Sequence, residues 1–169
     1  MKLITKQLEN DHNIFHFGDL HAGSALSCIK EWNKFVDVFN SPYDSCANNY
    51  GIEGGDDIEA IMVDDKRFSP ESLKEPLLLA QIADAIKIRQ PIKDKLLCKL
   101  IGNHERKLWR LGDITEKICQ DLGVDYGTYT AKVIIKDNIG NLMYKIYVTH
   151  GFKNIISTAD DPKRRKVNM

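Results

Sequence analysis

A chain of 169 residues is the size of one domain, long enough to bury roughly 70% of its unfolded surface. Its 24 basic and 24 acidic side chains cancel, which excludes a global positive field that gathers nucleic acid and leaves only local patches for that role. No apolar run approaches the roughly 20 residues of a membrane span, and Cys28, Cys46, Cys98 and Cys119 form no CxxC pair; the expectation is a cytoplasmic, non-membrane chain with reduced, mostly buried thiols.

The opening segment, residues 1–7, is polar and reads as neither leader nor span. Asn13–Phe17 reads as a short strand ending at Gly18. Ser24 then caps a helix whose apolar face is Leu26, Ile29, Trp32, Phe35, Val36 and Phe39, and Ser41-Pro42 ends it. The glycine- and asparagine-rich residues 48–55 lead to Asp56, where the backbone needs close approach or unusual dihedrals. Ser69-Pro70-Glu71 is a helix start, and residues 77–88 carry apolar side chains on more than one face, which predicts a well-buried helix. Residues 96–101 form an apolar run of strand length ending at Gly102. Asp113-Ile114-Thr115-Glu116 is a capping-box-like start for a helix ending at Gly123. Residues 131–136 and 142–149 flank a glycine-containing turn and read as a hairpin. Asp160-Asp161-Pro162 opens a further helix. Strands alternating with helices predict an α/β domain spanning residues 1–169, with its site at the C-terminal ends of the strands.

Four glycine-bearing motifs stand at those strand ends: Gly18-Asp19-Leu20-His21, Gly55-Asp56-Asp57-Ile58-Glu59, Gly102-Asn103-His104-Glu105 and Thr149-His150-Gly151. Asp19 and His21, one residue apart, can aim at one ion from an extended turn. Asp56 is placed to bridge two ions, since one shared carboxylate offsets their mutual repulsion and lets the pair clamp the attacking and leaving oxygens of a phosphoryl group. Asn103 is a neutral oxygen ligand, and His150 completes the same ion's protein set. His104 is then the catalytic group, protonating the leaving oxygen or stabilising phosphoryl charge, with Glu105 orienting its ring.

In this order the motifs resemble those of the calcineurin-like metallophosphoesterase superfamily, over residues 15–151. The resemblance implies a βα-sandwich of two mixed sheets flanked by helices. It also implies two divalent cations, manganese first, iron or zinc as alternatives. One would be held by Asp19, His21 and Asp56, the other by Asp56, Asn103 and His150, and the implied reaction is hydrolysis of phosphoesters. Asp57-Ile58-Glu59-Ala60 stands where the protein phosphatase branch has Arg-Gly after this motif, so a phosphodiesterase or nuclease-like activity is preferred, with nucleic acid among the candidate substrates. The family's last motif, Gly-His-x-His, does not follow His150. The expectation is therefore a domain incomplete at its C-terminal side, with weakened metal binding and activity, or else a binding scaffold without turnover.

Other conspicuous residues have blander readings. Asp57 is a supporting or solvent-facing acid, Arg106 and Arg110 lie on a solvated face, and Lys163-Arg164-Arg165-Lys166 is a basic helix face. Trp32 and Trp109 read as core or partly buried.

Overall fold

The computed structural model describes residues 1–66 and 68–151. Asn13–Phe17 (β2), Asn49–Glu53 (β3) and Leu96–Lys99 (β4) form a parallel sheet in the order β2-β3-β4. The connections are Ile29–Asn40 (α1) between β2 and β3, and Leu78–Arg89 (α2) between β3 and β4. The second sheet joins Lys2–Gln7 (β1), Thr130–Lys136 (β5) and Leu142–Thr149 (β6) in the order β1-β5-β6, with β1 parallel and β6 antiparallel to β5. Two short helices, Asn103–Lys107 (α3) and Ile114–Leu122 (α4), complete the set. The chain is thus an α/β protein, its described residues forming two small three-stranded sheets and four α-helices, one sheet all parallel and the other mixed.

Burial explains this arrangement. All four residues of β4 are buried, as in a strand covered on both faces, and three of them are apolar. On one side, Phe39, Ile58, Ala85, Ile92 and Ile118 form a buried cluster with Phe15 and Phe17 packed against it. On the other, Ile52, Leu97 and Cys98 share a cluster with Ile4, Val133 and Ile135 of the second sheet. Where β4 passes toward that sheet, the Lys99 N–H donates to Asp125 O at 3.0 Å, and Lys99 bridges to Tyr126.

Several expectations need correction. β1 was not legible as a strand, because the polar faces of Lys2, Thr5 and Lys6 hide the alternation that places Ile4 in the core. α1 begins at Ile29, not after Ser24: the Ser24 N–H donates to His21 O, Ser24 bridges to Leu73, and the Ala25 N–H donates to Ser72 O. Those bonds draw the segment into turns and leave Leu26 91% exposed rather than on the apolar face. Pro70 starts a single 3-10 turn, Pro70–Ser72. α2 buries one stripe, Gln81, Ala85 and Arg89, while Leu77 before it and Leu79 on its outer face stay exposed, so it is half buried rather than buried all round. The ends of α4 match the prediction: Asp113 accepts from the Glu116 N–H, and Gly123 closes it in the left-handed region. The helix start at Asp160 and the basic run 163–166 lie outside the described residues. No helix among the described residues is long and apolar enough to cross a membrane.

Candidate metal centre

The three parallel strands deliver three of the motifs to one edge. Asp19 and His21 follow β2, Asp56 follows β3, and Asn103 and His104 follow β4; His150 arrives from the end of β6 in the other sheet. Backbone bonds then continue the ladder past the strand ends. The Asp19 N–H donates to Gly55 O at 2.9 Å, the His21 N–H to Asp56 O at 3.0 Å and the Ala22 N–H to Asp57 O at 2.7 Å. Between the second and third motifs the fit needs glycine. A Cβ on Gly55, whose φ is +101°, would stand 2.5 Å from Gly102 N, and a Cβ on Gly102 would run into the backbone and carboxylate of Asp56.

Backbone strain marks the same turns. Asp19, His21 and Asp56 hold φ of 56°, 49° and 54°, a region that residues with a Cβ rarely enter. Such conformations persist where surrounding structure over-determines them, and they gather at functional sites. Here that structure is the backbone ladder joining the first motif to the second.

The side chains converge on Asp56. One set of ligand atoms comes from His21, Asp56 and His104, a second from Asp19, Asp56 and His150, and within each set all lie within 4.8 Å of one another. Asp56 is common to both. This partition differs from the one the motifs imply, since His104 stands beside His21, their ring centroids 4.5 Å apart, and Asp19 groups with His150. Asn103 is brought in through its Oδ1, 2.8 Å from His150 Nε2.

The donor set can be tested against a cation. His150 Nδ1–H donates to Gly54 O at 2.7 Å, which fixes the tautomer and turns the Nε2 lone pair toward Asn103 Oδ1 and, at 3.5 Å, Asp56 Oδ2. His150 Nε2, Asn103 Oδ1 and Asp56 Oδ2 are thus brought together as atoms that could hold a cation. His104 Nδ1 meets Glu59 O at 2.5 Å, and His21 Nδ1 lies 3.2 Å from Glu59 Oε2 without hydrogen-bond alignment. The residues present therefore fit two hard or borderline divalent ions.

Glu105 sits elsewhere than expected. Its carboxylate accepts from the Asp57 and Ile58 N–H groups through Oε1, at 2.6 and 3.1 Å, and from the Gly102 N–H through Oε2, at 3.0 Å. The ring of His104 is oriented by the Glu59 carbonyl instead, so Glu105 ties the second motif to the third rather than aiming the imidazole. Burial lifts its carboxyl above the usual range, and burial holds the His104 imidazole below its own.

Behind the site lies a buried charge cluster that motif reading missed. Arg89 Nε donates to Glu53 Oε1 at 2.6 Å and Nη2 to Asp57 Oδ1 at 2.8 Å; Lys99 Nζ reaches Glu53 Oε2 at 2.7 Å and also Asp57 Oδ1. All four side chains are wholly buried. Burial opposes the charge on Glu53, but Arg89 and Lys99 outweigh it and hold the carboxyl at about 2. Burial pushes Asp57 up to about 7, with the Glu53 and Glu105 carboxylates adding to the shift. The legible signal was Lys99, a charge inside an otherwise apolar strand, which must find partners.

No family model matches the chain, and no curated protein matches it. The case for a function rests on the geometry around Asp56.

Proposed function

We propose that the chain is a metal-dependent phosphoesterase of the calcineurin-like kind, built on that family's βα-sandwich and acting on phosphodiesters. The observation that carries the reading is Asp56, a carboxylate shared by two ligand sets drawn from four separate turns. Two divalent ions, manganese first, would be held by Asp19, His21, Asp56, Asn103 and His150, and would supply charge stabilisation of the phosphoryl oxygens and activation of water.

The chain's own residues do the rest. Asp56 holds the two ligand sets in register, its Oδ1 anchored by the His104 N–H at 2.9 Å. The His150 tautomer is set by Gly54 O, so its Nε2 always faces inward. With Nδ1 held on Glu59 O, His104 is kept out of the proposed metal-ligand set and would bring a proton drawn from solvent to the departing oxygen.

Manganese titration calorimetry and hydrolysis of bis(para-nitrophenyl) phosphate test this together. Wild type is expected to bind manganese and to release nitrophenolate in proportion to it. Asp56→Asn should lose both, and His104→Ala should lose about a hundredfold or more in rate while still binding manganese. Metal binding or hydrolysis that survives Asp56→Asn defeats the proposal, and metal binding without hydrolysis in wild type favours the scaffold.

A further inference from the structure

A cleft of 690 Å³ opens beside the candidate centre, and Asp19, His21, Glu59 and His104 form one of its walls. Leu20, Leu26, Trp32, Phe35 and Ile61 give the cleft an apolar share of its lining, with Ser24, Ser27 and Cys28 beside them. No lysine or arginine is among the described residues that line it. Its remaining acid, Glu31, is held at 2.9 Å by the exposed Lys34. The volume lies in the range of small-molecule sites, roughly 300–1,000 Å³. A second backbone phosphate entering this cleft would find no lysine or arginine in its described lining to neutralise it, so a polynucleotide is a poor occupant.

We infer that this cleft receives the departing group of the substrate and selects an uncharged, apolar, ring-bearing one. The inference rests on the phosphoesterase reading and names its substrate class: an aryl or similarly apolar ester of phosphate. His21, Asp19 and His104 belong both to the ligand sets and to the lining of the cleft, so a group lodged there lies directly against the candidate centre. Trp32 and Phe35 offer aromatic surface for a ring, and the exposed side chain of Leu26 adds apolar surface at the same cleft.

Phosphonates test this without turnover, since their carbon–phosphorus bond resists hydrolysis. On the manganese-loaded chain, calorimetry is expected to show phenylphosphonate binding about tenfold more tightly than methylphosphonate, from burial of the ring. Para-carboxyphenylphosphonate should lose that advantage. Leu26→Asp changes an exposed side chain outside the core and should lower phenylphosphonate affinity by about tenfold. Equal affinity for the phenyl and methyl probes, or undiminished binding of the carboxylated ring, overturns the cleft's assignment and leaves the phosphoesterase reading standing. Failure of both simple phosphonates to bind in a manganese-dependent way overturns that reading, and the inference with it.

Discussion

Lys99 shows how much a single side chain can decide. It occupies the last position of β4 and is wholly buried, with Glu53 and Asp57 as its partners. Replacing it with methionine keeps the volume and removes the charge, leaving two carboxylates with only Arg89 between them. Breaking a buried pair from one side costs about 3–5 kcal/mol, because the remaining charge stays out of water. Lys99→Met is therefore expected to shift the urea unfolding midpoint by that equivalent. The replacement touches none of the candidate ligands, so manganese binding by whatever fraction stays folded separates this loss from damage to the site. A midpoint within about 0.5 kcal/mol of wild type would mean that the cluster adds nothing to stability.

At the scale of elements, the turn after β3 and the start of α3 behave as one part. Gly55 and Gly102 meet backbone to backbone, and the Glu105 carboxylate closes the junction on the N–H groups of Asp57, Ile58 and Gly102. Gly102→Ala should force Asp56 away from His104 and lower manganese affinity at least tenfold, while the far hairpin keeps its amide-exchange protection; unchanged affinity would contradict the close fit. Much of this level was legible in the chain. β2, the strand into Gly102, the capped α4 and the β5–β6 hairpin follow from apolar period and turn residues, and those signals are local. The start of α1 was not legible, because long-range bonds to Leu73 and Ser72 override the cap that Ser24 offers. The candidate ligands were legible as residue types, whereas the partition that sets His104 beside His21 depends on how four turns meet in space. Nor could spacing show Glu105 to be a tie, since its partners are backbone groups 47 and 48 residues away as well as its own turn.

For the whole molecule, the buried ions make stability depend on acid. Glu53 is held at about 2 against an ordinary value of 4.5, so its ionised form is favoured by folding. That contribution is fully present above about 4.5 and is lost as the pH falls toward 2. Thermal unfolding followed at pH values on either side of this window should show wild type losing stability on acidification. Glu53→Gln, less stable to begin with, should lose less over the same range. Parallel curves would show that Glu53 is not ionised in the folded state.

The parallel pairing of β1 with β5 sets a timetable. Among the described residues, the strand beside residues 2–7 is 130–136, made more than a hundred residues later. At roughly 5–20 residues added per second during synthesis, β1 waits on the order of ten seconds for this partner. His150 is made later still, so the second ligand set closes only after the hairpin has formed. Over that interval Ile4, which ends in the core, is exposed on a strand with both edges open, and capture by another nascent chain competes with folding. The order of strands thus gives this protein its own period of vulnerability to aggregation, measured in seconds of translation.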